Sequence, residues 1–223
     1  MTTTQQAQYL DMIERLPAGS TLILNDVSWE EYEQLLDDLD SSGNSGRRVT
    51  FDEGRLEILS PSSNHEMYKE LIVGIGVIIG EETGRDVESR GSTTFKKESL
   101  AKGAEPDTCF YVQNAARIIG VPKIDLSVDP PPDIAVEVDV SHGSKAKLAI
   151  FERLGVPEVW TYDERRMRIY ELTAQGYVEA AASPTFPFLT CDVLADLLER
   201  SKTLGQSAVL RSFRQWLREH AKS

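Results

Sequence analysis

The stretch PDIAVEVDV, residues 132–140, decides the fold that this sequence predicts. Its apolar residues alternate with the others, as in a β-strand whose successive side chains point to opposite faces. One face then carries Ile134, Val136, Val138 and Val140, and the other carries Asp133, Ala135, Glu137 and Asp139. Two interpretations are open: a half-buried strand with a solvated polar face, or a row of acids whose repulsion a divalent cation relieves.

A second acidic segment, Glu105-Pro106-Asp107, precedes an apolar run at 108–112 that reads as a strand. Proline fits the first position of a strand, so Asp107 would project where that strand begins. The alternative is a turn aspartate that bonds to nearby backbone.

The chain after the acidic strand predicts a helix from Ser144 to Gly155. Its buried stripe contains Leu148, Ile150, Phe151 and Leu154. Lys147 points in the direction of this stripe, whereas Lys145 points to the opposite side. Lys147 can lay its stem on apolar surface with its ammonium in water. Alternatively, it can face the acids and position water or stabilise charge on a phosphate.

Periodicity and capping signals predict the other elements. The predicted helices cover 5–16, 29–39, a long segment from a capping box at Ser63 and Glu66 to Gly84, 191–202 and 206–220. The predicted strands cover 21–24, a hairpin around Asp52-Glu53-Gly54, 87–98, 108–112, 133–140, 158–163, 167–172 and 177–181. A capping box at Ser28 and Glu31 starts the second helix.

The charge distribution limits where the protein could contact nucleic acid. A net charge of -12 over 223 residues argues against loose binding to a polyphosphate. Residues 1–43 carry nine acids and one base, but residues 199–223 carry six bases and two acids. On the last helix Arg211, Arg214 and Arg218 form one stripe, opposite Phe213, Trp216 and Leu217. The arginine stripe is either a DNA contact or a solvated face.

Several classes of protein are excluded by the sequence. No apolar run approaches the roughly 20 residues of a membrane span, and the N-terminus MTTTQQAQYL lacks a secretion pattern. Cys109 and Cys191 have no metal-ligand spacing, so we expect a cytoplasmic protein with free thiols. Gly74, Gly76 and Gly80 do not form a nucleotide-binding fingerprint, because they lie in a predicted helix with Ile79 at the third glycine position. Close packing against a sheet explains these glycines better.

Five motifs within about residues 48–173 carry a family resemblance. They are GRLEILSP at 54–61 followed by His65, GSTT at 91–94, EPD at 105–107, PDIAVEV at 132–138 and GVPEVW at 155–160. Together they resemble the large bacterial family of predicted restriction endonucleases called Uma-two, within the PD-(D/E)XK nuclease superfamily.

The resemblance implies an α/β (α+β) fold with a restriction-endonuclease-like core. A mixed central sheet would be flanked by helices, with helical additions at both ends of a single domain, 1–223. It also implies a Mg²⁺ (or Mn²⁺) site at Asp107, Glu137 and the Val138 carbonyl. Asp139 stands where the superfamily lysine is usual, and Lys147 on the following helix is the matching candidate.

Further candidates for the site are weaker. Glu57 and Glu66 could each be an extra acid, although a capping box also explains Glu66. His65 could line the cleft or be solvated. Asp133 and Asp139 complete the acidic face of the strand.

The sequence therefore predicts Mg²⁺-dependent hydrolysis of DNA phosphodiester bonds, with Asp107, Glu137 and Lys147 as catalytic residues. The alternative is an inactive nuclease fold that binds DNA or protein, which Asp139 and the net charge favour. A homodimer is compatible with the sequence, whereas a membrane or nucleotide cofactor is not expected.

Overall fold

The chain contains both helices and strands. The computed structural model describes residues 3–42, 46–138 and 144–220, with side chains for 9–42, 46–138 and 147–220. Its helices are α1 (Thr3–Glu14), α2 (Trp29–Ser42), α3 (Ser63–Thr83), α4 (Ala115–Ile118), α5 (Ser144–Leu154), α6 (Cys191–Leu204) and α7 (Gln206–His220). Its strands are β1 (Thr21–Leu24), β2 (Arg48–Asp52), β3 (Arg55–Leu59), β4 (Glu88–Ser89), β5 (Phe95–Lys97), β6 (Lys102–Ala104), β7 (Thr108–Tyr111), β8 (Ile134–Val138), β9 (Glu158–Tyr162), β10 (Met167–Thr173) and β11 (Gly176–Ala180).

The strands form two sheets. The first is antiparallel, in the order β1-β3-β2-β6-β5. The second has the order β11-β10-β9-β8-β7-β4, and β8 and β9 are its parallel pair. Parallel neighbours need a crossover connection, and α5 lies within it. This mixed architecture confirms the predicted fold class, and the hairpin of β2 and β3 lies in the first sheet. The single-domain organisation stays a prediction.

The predicted hairpin and the first capping box are confirmed. Asp52 pairs with Arg55, and the turn residues Glu53 and Gly54 have φ angles of 49° and 93°. Such a two-residue turn needs positive φ at both positions, which glycine adopts without strain. At the start of α2 the backbone NH of Ser28 donates to Glu31 at 2.9 Å, and the NH of Glu31 donates to the Ser28 hydroxyl at 3.2 Å.

Strand β8 is buried on both faces, so the half-buried interpretation is wrong. Ile134, Val136 and Val138 pack in a core with α3, α6 and α7. Ala135, on the opposite face, packs in a second core with α5. Because helices cover both faces, any charge on this strand is removed from bulk water. Asp139 and Val140 lie outside the described residues.

Helix α3 packs closely against its neighbours, as the glycine spacing predicted. A Cβ added at Gly76 would lie 2.6 Å from Cε1 of Phe110 on β7. A Cβ at Gly74 would lie 2.9 Å from Cδ1 of Leu210 on α7. Gly76 therefore lets α3 approach the sheet, and Gly74 lets it approach α7.

The capping box predicted at Ser63 is wrong by one residue. The N-cap is Ser62, whose hydroxyl accepts the backbone NH of His65 at 3.3 Å. Glu66 is consequently not part of a capping box, and its side chain is available for other contacts. With Ser62 as the N-cap, the bond from the backbone NH of His65 to the Ser62 hydroxyl holds His65 in the first turn of the helix.

The strand predicted over 87–98 is wrong as one element. β4 pairs with β7 in the second sheet, whereas β5 pairs with β6 in the first. Between them the Thr93 hydroxyl donates to the Arg90 carbonyl at 2.6 Å, which closes a turn. The chain thus passes from one sheet to the other, and β6 and α4 were not predicted.

The two C-terminal helices are confirmed. Phe213 and Leu217 of α7 are buried and Trp216 is packed against the same core. Among the described residues, none of the helices combines the length and the apolar character that a membrane span needs.

Candidate active site

The pairing of β7 with β8 brings Asp107 beside Glu137 and Val138. The backbone NH of Asp107 donates to the Val136 carbonyl at 3.0 Å, and Thr108 is the register partner of Val136. Oδ2 of Asp107 then accepts the backbone NH of Val138 at 2.7 Å. Asp107 is fully buried. Its place is therefore set by strand register.

Lys147 reaches the acidic strand from α5. Its Nζ donates to Oε2 of Glu137 at 2.7 Å and to the Glu105 carbonyl at 3.4 Å. Lys147 is 8% exposed and Glu137 is 5% exposed. Burial lowers the pKa of Lys147, but the charges of Glu137 and Asp107 outweigh burial and raise it. The ammonium therefore stays charged at neutral pH.

His65 lies against Asp107, so the alternative of a solvated histidine is wrong. Its Nε2 is 2.7 Å from Oδ2 of Asp107, and the residue is 3% exposed. Burial lowers the pKa of His65, and the charges of Asp107 and Glu66 only partly oppose this effect. The imidazole is therefore neutral at neutral pH.

Arg48 of β2 joins the site from the first sheet, and the sequence did not predict it. Its Nη2 is 3.1 Å from Oε1 of Glu66, and its Nε is 3.5 Å from Oδ1 of Asp107. The residue is 3% exposed. The sequence feature that could have indicated Arg48 is its place on the face of β2 opposite the apolar Val49 and Phe51.

The two weaker acidic candidates differ in their surroundings. Glu66 contacts Arg48 and Lys69. Burial raises the pKa of Glu66, but Lys69 and Arg48 together lower it by more, so the net shift is downward. Glu57 on β3 pairs with Arg55 at 2.9 Å, and its charge contributes to the raised pKa of Lys147.

Asp133 is not brought into this cluster. It lies before the opposite end of β8, where its carboxylate accepts the backbone NH of Val112 at 2.7 Å and that of Asn114 at 3.0 Å. The side-chain amide of Asn114 adds a bond of 2.7 Å. Asp133 therefore stabilises the turn after β7.

Glu105 is a further buried acid that the sequence did not single out as a site residue. Its Oε2 accepts the backbone NH of Val49 at 2.8 Å, and its Oε1 accepts the Thr94 hydroxyl at 2.5 Å. Burial raises the pKa of Glu105, and the bond from Thr94 only partly offsets this effect. Glu105 thus ties the GSTT motif to β2, next to Asp107.

Asp107 has one oxygen that fits a cation. Its Oδ1 is buried and has no hydrogen bond within the described residues. In the same ranges no group of three or more His, Cys, Asp or Glu side chains is arranged to hold a metal ion. The candidate set has two carboxylates and one carbonyl, which suits Mg²⁺, since this ion typically takes one or two carboxylates and completes its shell with waters and phosphates.

The arginine stripe of α7 meets α3. Arg214 contacts Glu81 at 2.6 Å and Glu82 at 2.8 Å, and Nε of Arg218 contacts Glu82 at 2.7 Å. Arg211 is exposed. Two of the three arginines therefore hold α7 to α3, and DNA contact by the stripe stays a prediction.

A mixed α/β fold with a buried cluster of acids and a lysine is compatible with a nuclease. The family model described as "Uma2: Putative restriction endonuclease" matches residues 29–201, more than half of the chain. The chain belongs to this Uma2 family, which confirms the resemblance seen in the sequence.

The chain was also compared with solved structures and with curated proteins. The fold is similar to the crystal structure of "a putative nuclease belonging to DUF820" from Anabaena variabilis ATCC 29413. The match has 16% identity and a TM-score of 0.46, and it covers 67% of this chain and 90% of that chain. No curated protein matches the sequence.

Proposed function

We propose that this protein is a Mg²⁺-dependent endonuclease that hydrolyses phosphodiester bonds of DNA, with Asp107, Glu137 and Lys147 in its active site. The observation that carries the proposal is the contact of 2.7 Å between Lys147 and Glu137, beside the buried Asp107. Membership of a family described as restriction endonucleases supports DNA as the substrate.

The metal would be held by the carboxylates of Asp107 and Glu137 and by the Val138 carbonyl. A bound Mg²⁺ or Mn²⁺ supplies Lewis-acid stabilisation of charge on phosphate oxygens and favours ionisation of water. The buried Oδ1 of Asp107, which lacks a hydrogen bond in the described part of the chain, supports this ligand set. The Val138 NH holds the other oxygen of the same carboxylate.

Lys147 would perform the role that a lysine at position 139 has in the superfamily pattern. Its charged ammonium lies where it can stabilise negative charge that develops on a phosphate or orient a water. A preorganised charge in a water-poor site needs no reorganisation during the reaction, so it favours the transition state.

The alternative is an inactive nuclease fold that binds DNA or protein. Asp139 and the net charge of -12 favour this alternative. Catalysis separates the two, because a binding module holds its partner without breaking bonds. The homodimer also stays a prediction, which sedimentation of the purified chain tests.

A supercoiled-plasmid assay tests the proposed function. Wild-type protein with Mg²⁺ or Mn²⁺ should nick or linearise the plasmid, and EDTA should stop the reaction. Asp107→Asn keeps the side-chain volume but removes the charge, so it should abolish cleavage. Wild-type protein that binds DNA without cleaving it in either metal would support the binding module and contradict the nuclease.

A further inference from the structure

The two oxygens of Asp107 have different environments. Oδ2 is 2.7 Å from Nε2 of His65 and accepts the backbone NH of Val138 at 2.7 Å. Oδ1 has no hydrogen bond within the described ranges, and Arg48 Nε lies 3.5 Å from it. One oxygen therefore accepts two hydrogen bonds, whereas the other has only the ion pair with Arg48 and can accept a cation.

The direction of the bond between His65 and Asp107 follows from the chemistry of the groups. An ionised carboxylate only accepts hydrogen bonds, so Nε2 of His65 is the donor. This holds for either charge state of the ring. The second donor to the same oxygen, the Val138 backbone, is fixed by strand β8. His65 is the side chain that completes the pair.

We infer that His65 is a positioning residue that orients Asp107, so that Oδ1 faces the cation. The inference rests on the proposed metal site and gives His65 a defined part in it. His65 acts through Asp107 and needs no contact with the substrate. Partners that hydrogen-bond to metal ligands typically change metal affinity by about 10–100-fold when they are removed.

The position of His65 is itself held by the start of α3. The N-cap Ser62 accepts the backbone NH of His65 at 3.3 Å, and the side chain is 3% exposed. The ring is therefore confined between the helix end and Asp107. On the other side, Arg48 bridges Asp107 and Glu66, so the carboxylate lies between two fixed groups.

Mn²⁺ titration calorimetry on matched variants tests this role. His65→Leu removes the donor, so Mn²⁺ affinity should fall by about 10–100-fold. His65→Gln keeps an amide NH at a similar reach, so it should restore most of the affinity. If His65→Leu does not fold, His65→Phe, which keeps a ring without the donor, replaces it. Thr190→Ala is the control, because it removes the N-cap of another helix, α6, where the Thr190 hydroxyl accepts the backbone NH of Val193 at 3.2 Å; it should lower the melting temperature and leave Mn²⁺ affinity unchanged.

The outcomes separate this inference from the proposed function. Weak binding by His65→Leu with recovery in His65→Gln supports the positioning role. Unchanged affinity in His65→Leu, or equal losses in His65→Leu, His65→Gln and the Thr190→Ala control, overturns it while the metal site stands. Wild-type protein that binds no Mn²⁺ overturns the metal site, and the role of His65 falls with it.

Discussion

Lys147 and Glu137 form a buried ion pair, with 2.7 Å between Nζ and Oε2, across ten positions of sequence. Two charges removed from water cost several kcal/mol each, so a buried pair is weak evidence for a role in stability. Both residues adjoin Asp107, and its charge also raises the pKa of Lys147. This pair is better explained by a function that uses charge in a buried place.

The metal site predicts that stability depends on divalent cations. A cation that binds only the folded state adds about 2.7 kcal/mol at a hundredfold excess over its dissociation constant. Millimolar Mn²⁺ should therefore raise the melting temperature of the wild type, and Glu137→Gln should lose most of that rise. The exposed Glu171→Gln on β10 is the control and should keep it. Identical wild-type melting curves with EDTA and with Mn²⁺ would contradict the site.

The contact between α3 and α7 predicts a pH dependence of stability. Hydrogen bonds from Arg218 and Arg214 lower the pKa of Glu82 from 4.5 to about 2. A carboxylate with a depressed folded pKa stabilises the fold above its unfolded pKa, and this contribution is lost as pH falls through the folded value. Glu82→Gln should therefore lower the urea midpoint at pH 7, and its difference from wild type should shrink between pH 4.5 and 2.

The control for this contact is Glu219→Gln, an exposed acid on α7, the helix that carries Arg214 and Arg218. It should leave the urea midpoint unchanged at every pH. A difference for Glu82→Gln that is as large at pH 3 as at pH 7 would show that the effect is not electrostatic.

DNA contact by the arginine stripe of α7 is a prediction that substitution can test. Changing Arg211, Arg214 and Arg218 together to glutamine should weaken DNA binding and flatten its salt dependence by about 0.9 in slope per lost phosphate contact. Arg211→Gln alone separates contact from folding, because Arg214 and Arg218 also hold Glu81 and Glu82. An unchanged slope in the triple variant would leave the stripe as a helix-docking surface.

The glycines of α3 predict a steric difference between two neighbouring positions. Gly76→Ala would place a methyl group 2.6 Å from the Phe110 ring, and overpacking of this kind costs about 1–3 kcal/mol. Gly74→Ala meets only the end of the Leu210 side chain, at 2.9 Å, which can rotate away. Urea unfolding should find the larger loss at Gly76. Equal losses would show that the Leu210 side chain does not relieve the clash by rotating.

Local periodicity explains which parts of the candidate site could be predicted from the sequence. Alternation along β8 separated Glu137 from Val136 and Val138, and the helical angle turned Lys147 inward. Both rules act within a few residues and do not depend on the remaining fold. The same holds for the hairpin at Glu53-Gly54.

Contacts between distant segments explain what was missed. Arg48 reaches Asp107 from another sheet, and Glu105 binds Thr94 and Val49 across the same junction. No pattern within a few residues of sequence predicts these long-range contacts. Asp133 looked like part of an acidic row, but its partners, the backbone NH groups of residues 112 and 114, lie about twenty residues earlier in the chain.

Lys147 is proposed to supply the positive charge that position 139, an aspartate, cannot supply. The most direct test of this role is the rate of Mg²⁺-dependent plasmid cleavage by Lys147→Met, compared with Arg153→Met, an exposed position on the same helix. The side chain of Lys145 lies outside the described residues, so Arg153 is the better control. Mn²⁺ binding measured alongside shows whether the site stays formed.

Lys147→Met should retain Mn²⁺ binding and lose about 10²–10³ in cleavage rate, because one preorganised charge is removed. Arg153→Met should cleave like the wild type. Cleavage by Lys147→Met at the wild-type rate, or an equal loss in both variants, would contradict the account.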